Sequence, residues 1–193
     1  MRLIFLATLT ALACGAAQAG TLIPVPQVPG SAGTSVLAIN DNNQIAGVYI
    51  DLQFHQHAFF GTLDGNYTTF DYEGNGTQAT GIDNKGDVVG YSNFMGHSPC
   101  NFVPFERNAA GQLSTIRHRK KLLSGYLYID THGLLTGSYC NKRGDQVVYD
   151  GKKGKFKLSI PIHIDSDMVA PTGVNSAGTH VGVYYDSKTK TQH

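Results

Sequence analysis

The sequence predicts an all-β chain of four repeats, each about 45 residues long, and two observations predict it. The first is composition. Of 193 residues only 15% are charged, well below the roughly one quarter usual in globular chains, while there are 23 Gly, 10 Tyr and 9 Phe and no Trp. That balance suits short strands joined by tight turns, leaves little material for helices, and excludes a disordered or collagen-like chain. The second is internal repetition. Four segments align without gaps: INDNNQIAG from Ile39, IDNKGDVVG from Ile82, IDTHGLLTG from Ile129 and VNSAGTHVG from Val174, with opening residues 43 to 47 positions apart. A glycine closes each segment (Gly47, Gly90, Gly137, Gly182) and a tyrosine follows within two residues (Tyr49, Tyr91, Tyr139, Tyr184).

Each segment reads as a β-hairpin. A β-branched residue ends the first strand, Asn or Asp opens the turn by bonding its own backbone, and Asn43, Gly86, Gly133 or Gly178 takes the position that needs positive φ. The returning strand alternates, with Ile45, Val88 and Leu135 at equivalent places; His180 interrupts the pattern in the last copy. The closing glycines are expected to admit a neighbouring sheet or aromatic ring. Third strands follow at His57 to Leu63, Asn101 to Glu106 and Gln146 to Tyr149, and fourth strands at Tyr67 to Tyr72, Leu113 to Arg117 and Lys155 to Ile160. Four strands per repeat describe a propeller blade. The expected fold is therefore a propeller-like array of four repeats. The last blade is either incomplete, for want of a third strand, or shared between the termini, with Thr21 to Val28 as its fourth strand.

The repeat resembles the HAF repeat of bacterial extracellular proteins, whose His-Ala-Phe triplet is present as His57-Ala58-Phe59. The likeness spans Gly33 to Tyr185. Cys100-Asn101-Phe102 and Val147-Val148-Tyr149 are read as the corresponding triplets of the second and third copies. The resemblance implies a bacterial protein that is secreted or periplasmic, and it carries no assigned biochemistry.

The amino terminus agrees. Arg2 precedes an apolar run from Leu3 to Ala13, and Ala17-Gln18-Ala19 has the form of a secretory cleavage site, so residues 1–19 are read as a signal peptide and 20–193 as one repeat domain. Cys14 after Leu12 and Ala13 resembles a lipobox only partly, because Ala11 stands where Leu is preferred. The apolar run falls short of the about 20 residues needed to span a bilayer, so no transmembrane segment is expected. With 15 Lys and Arg against 14 Asp and Glu, no global field draws the chain to nucleic acid. The charge is nonetheless lopsided: Lys85 is the one basic residue between Asp41 and Asp87, whereas Arg107 to Lys157 is rich in Lys and Arg.

In a propeller-like blade the loops between second and third strands share a rim with the blade-to-blade crossings. That rim collects the candidate ligand-binding residues: Asp51, His55, His57, Tyr72, Phe94, His97, Arg117, Arg119, Lys120, Lys121, Lys142 and Arg143. Phe54 and Tyr126 add aromatic rings near it. Cys100 and Cys140 fall on the same rim of adjacent blades, and in an oxidising compartment they are expected to form a disulfide; the rival readings are two buried thiols or a metal pair. His55 and His57 flank one residue, but no HExxH or Cys cluster accompanies them, and neither a metal nor another cofactor is expected. Asn40 to Asn43 is turn chemistry rather than a calcium loop, lacking the Gly and Glu that such a loop requires. No catalytic residue is assigned, because neither a nucleophile elbow nor a paired acid and base can be recognised. Arg117 to Lys121 would suit an acidic polymer, or stand as a solvated loop. The expected function is a non-catalytic exported binding or scaffold module for carbohydrate or envelope polymer. The alternatives are a polysaccharide hydrolase using Asp51, Asp71 or Glu73, and a structural surface or adhesion element.

Overall fold

A computed structural model of the chain describes residues 22–73, 76–93, 101–118, 121, 122, 125, 127–140, 146–152, 155–158, 166–175, 177–186 and 189–192. The signal-peptide reading and Cys14 fall outside them. The described residues are all-β, in antiparallel sheets that follow the repeats. The first sheet runs β1 (Gly33–Ile39), β2 (Gln44–Ile50), β3 (Gln56–Thr62) and β4 (Tyr67–Phe70), in that spatial order. The second is β5 (Thr77–Ile82), β6 (Val88–Asn93), β7 (Phe102–Arg107) and β8 (Leu113–Thr115). A small hairpin, β9 (Arg117–His118) and β10 (Lys121–Leu122), leads to the third sheet, β11 (Leu127–Ile129), β12 (Leu135–Cys140), β13 (Gln146–Lys152) and β14 (Lys155–Leu158). The last sheet has three described strands, β15 (Ser166–Val174), β16 (His180–Asp186) and β17 (Thr191–Gln192).

The four hairpins share one turn, for a local chemical reason. Asn40, Asp83, Asp130 and Asn175 each accept the backbone N–H groups two and four residues on through Oδ1, at 2.6–3.1 Å. Left-handed φ then falls on Asn43 (59°), Gly86 (85°), Gly133 (85°) and Gly178 (79°), where Asn and Gly carry the least strain. Register repeats as well: Ile39 pairs with Ile45, Ile82 with Val88, Ile129 with Leu135 and Val174 with His180. Adjacent turns are also bonded to one another. Asn40 Nδ2 donates to the Asp83 carbonyl at 2.7 Å, and the Asn84 N–H to the Thr131 carbonyl at 3.0 Å.

The closing glycine of each hairpin faces an aromatic residue of the third strand: Gly47 pairs with Phe59, Gly90 with Phe105 and Gly137 with Tyr149, and all three aromatics are fully buried. A Cβ on Gly47 would strike the Ser35 carbonyl oxygen and come within 2.9 Å of the Phe59 ring; on Gly90 it would strike the Gln78 carbonyl and come as near to Phe105. The ring that approaches thus belongs to the same sheet. This register corrects the triplet alignment in the second copy, where the counterpart of His57-Ala58-Phe59 is Val103-Pro104-Phe105 and not Cys100-Asn101-Phe102.

Because sheets stack on sheets, an inner strand is buried on both faces. In β6, Val88 packs with Ala46, Ala58, Ala79 and Ile82, while Val89 packs with Ile116, Leu127, Leu135 and Tyr149. The period of two sends neighbouring side chains into different cores. Residues 22–28 do not add a strand to the last sheet. Pro24 and Pro26 have no N–H to offer a ladder, and Val28 is buried against Ile45 and Phe59 of the first sheet instead. The Tyr67 hydroxyl donates to the Pro26 carbonyl at 2.6 Å and holds the segment there. The third strand expected to be missing from the last repeat exists in short form as β17, with Asp186 paired to Thr191 and Tyr185 to Gln192.

The first strands of all four sheets line one cavity of about 400 Å³. Ile39, Ile82, Ile129 and Val174, the opening residues of the four repeats, are all in its wall.

Candidate functional site

The loop from β2 to β3 reuses the hairpin turn with one change. The Asp51 N–H donates to the His55 carbonyl and the Phe54 N–H to the Asp51 carbonyl, and Asp51 Oδ1 accepts the N–H groups of Gln53 and His55, both at 2.8 Å. The left-handed position, given to Asn or Gly in the hairpins, is held by Phe54 at φ 66°. A non-glycine residue there costs roughly 1–2 kcal/mol, and for a bulky aromatic the conformation is a true outlier. No burial repays that cost, since Phe54 is 82% and Leu52 66% exposed. A strained loop thus presents two apolar side chains to solvent.

Beside them lies a chain of acids and imidazoles. His57 of β3 stacks on Tyr49 with ring centroids 5.0 Å apart, and its Nδ1 lies 2.9 and 3.0 Å from the two carboxylate oxygens of Asp71. Its Nε2 is 3.2 Å from Asp51 Oδ2, which His55 Nδ1 also approaches at 3.3 Å. Partial burial of the His57 ring opposes its protonation, but hydrogen bonds to Asp71 and Asp51, with the charges of both, outweigh that and raise its pKa above the ordinary imidazole value. Asp51 moves the other way, down to about 2. The His55 backbone N–H is the main cause, desolvation opposes it, and His57, the Gln53 N–H and the His55 side chain add to the lowering.

These directions define a pH window. The His57 pKa is higher folded than unfolded, so its contribution is present below about pH 6.5 and fades as pH rises through the folded value. The Asp51 pKa is lower folded, so its contribution is present above about pH 4 and fades on acidification toward pH 2. The cluster is complete in between. Observed by NMR, the His57 imidazole is expected to titrate above 6.5, and Asp71→Asn to move that titration downward. A His57 that titrates at or below 6.5 in the unaltered protein would contradict the bonding described.

The structure brings Asp51, His55 and His57 together, with Asp71 as the partner that joins them. It does not leave Tyr72 on the rim. That ring is buried against Phe105 at 5.2 Å, and its hydroxyl is bonded to Thr115. Arg117 is exposed and lies in β9, and Lys121 lies in β10, which pairs with it. Cys140 ends β12. Phe94, His97, Cys100, Arg119, Lys120, Tyr126, Lys142 and Arg143 lie outside the described residues. Leu52 escaped notice because a lone leucine in a polar loop has no pattern, but a signal did exist for the strain: DLQFH has the spacing of the hairpin turns with Phe in place of Gly. Among the described residues, no group of three or more His, Cys, Asp or Glu is placed to hold a metal, and no helix is long and apolar enough to cross a membrane. Compared with known proteins, the chain matches no family model and no curated protein.

Proposed function

We propose that the chain is an exported, non-catalytic binding module of the HAF-repeat kind, with its sheets arranged as propeller-like blades and carbohydrate or envelope polymer as its ligand. The reading of sheets as blades is supported by their shared strand order and by the cavity that all four first strands line. The ligand assignment is carried by Phe54, an aromatic ring held in solvent at a conformational cost that folding does not recover. A flat apolar ring with Leu52 beside it suits the apolar face of a sugar ring, and Asp51, Asp71 and His57 supply acceptors and a donor for its hydroxyls. Export rests on residues 1–19 of the sequence.

The hydrolase reading has less support. Glycoside cleavage needs one carboxyl group that holds its proton near neutral pH, whereas Asp51 is held down at about 2 and both Asp51 and Asp71 are bonded to His57. Phe54→Gly separates binding from stability. It removes the ring and suits the left-handed backbone, so binding to an array of neutral and acidic polysaccharides is expected to fall at least about tenfold while the melting temperature does not drop. Unchanged polysaccharide binding by this variant would overturn the reading, as would the absence of any carbohydrate binding by the unaltered protein.

A further inference from the structure

The cavity between the first strands is separate from the Asp51 loop and has its own chemistry. Its apolar wall comes from Leu37, Ile39, Ile82, Ile129 and Val174, and Leu37 and Ile39 remain 47% and 53% exposed. A volume of about 400 Å³ lies within the size range of small-molecule sites, roughly 300–1,000 Å³. Its polar wall includes Asp130, which is 92% buried, its relative exposure being 8%.

Asp130 has more acceptor capacity than the fold uses. Its Oδ1 holds the turn by accepting from the His132 and Leu134 backbone N–H groups, but its Oδ2 is buried without a hydrogen-bond partner. Such an oxygen is costly to leave unpaired. The nearest imidazole in sequence does not relieve it, because the His132 ring is directed at the Thr131 hydroxyl, 3.2 Å away. Folding does not demand a carboxylate at this position either. At the equivalent place in the first repeat, Asn40 makes the same turn with Oδ1 and uses its second atom, Nδ2, to donate to the carbonyl of the next turn. Asn175 makes the same turn in the last repeat. An Asp at this position therefore forgoes a donor and leaves a buried acceptor beside an apolar cavity.

We propose that this cavity binds a small organic ammonium ligand, its cationic head on Asp130 and its apolar body along Ile39, Ile82 and Ile129. A neutral donor would satisfy the oxygen but not the charge, and an anion would be repelled, so a cation with an aliphatic body is the chemistry that matches both walls. This assignment stands independently of the polysaccharide reading.

The test is a titration of the purified protein with hexylammonium, hexanol and hexanoate, read by calorimetry and by amide NMR shifts. Hexylammonium is expected to bind saturably at least about tenfold tighter than either of the others, with shifts centred on Ile82, Asp130 and Val174. Asp130→Asn keeps the turn in the manner of Asn40, and is expected to abolish the preference for the amine without lowering the melting temperature. Leu37→Trp, at an exposed wall position, is expected to block all three ligands by filling the space. Equal binding of hexanol and hexylammonium, no saturable amine binding, or an amine preference that survives Asp130→Asn would each overturn the proposal.

Discussion

Phe105→Ala is expected to lower the unfolding free energy by about 3–5 kcal/mol, the range for emptying an aromatic site in a packed core. Phe105 is fully buried and sits where two sheets meet: its ring is edge-on to Phe70 of the first sheet at 5.7 Å and tilted against Tyr72 at 5.2 Å. Gly90 pairs with it across the ladder, and the absence of a Cβ there admits the ring. Little in the surroundings can collapse into the gap, because hydrogen-bonded backbone lies behind the ring and the neighbouring sheet packs against it. A domain whose total stability is about 5–15 kcal/mol would lose a large share of it. Urea unfolding followed by circular dichroism checks the value. A loss below about 1 kcal/mol, comparable to that of an exposed side chain such as Phe54, would mean that the ring is not a keystone between the sheets.

The second large effect concerns the cysteines. Cys140 ends β12, and Cys100 stands two residues before Phe102, the first residue of β7, in the sequence. We expect them to be joined in an oxidising compartment. A bridge closing about 40 residues contributes about 3–4 kcal/mol through the unfolded state, so Cys140→Ser is expected to lower the melting temperature by roughly 10 °C. Peptide mapping without reduction should recover the two cysteine peptides as one linked species. Rapid alkylation of both cysteines in the native, unreduced protein would contradict the pairing.

The hairpins were legible because each depends on short-range chemistry that one segment contains in full: a β-branched residue ending the first strand, an Asx side chain after it, and a left-handed residue three positions on. The same reasoning read most of the third and fourth strands. It misplaced the second copy's triplet, because more residues separate Gly90 from Phe105 than separate Gly47 from Phe59, and only the ladder shows which aromatic faces that glycine. It misread residues 22–28 because an apolar run beside prolines resembles a strand in composition, while its position is decided by burial against Ile45 and Phe59, far away in sequence. Tyr72 was expected on the rim from its place before a crossing, yet Thr115 and Phe105, also distant in sequence, take it into the core. In the candidate site, the pairing of His57 with Asp71 was not visible, because residues 14 apart meet only through the β3–β4 pairing. The orphan oxygen of Asp130 was hidden for a related reason: Asp and Asn serve the turn equally well, and burial alone separates them.

The central claim is that four copies of one hairpin surround a common cavity instead of stacking in a line. Spin labels introduced at residues 39 and 174 as non-natural amino acids, with the native cysteines left alone, test it by dipolar spectroscopy. Neighbouring sheets are about 10 Å apart, so an arrangement around one cavity predicts a single distance distribution below about 20 Å, whereas a linear stack separates the first and last sheets by about 30 Å. A distribution centred at the longer distance would contradict the claim.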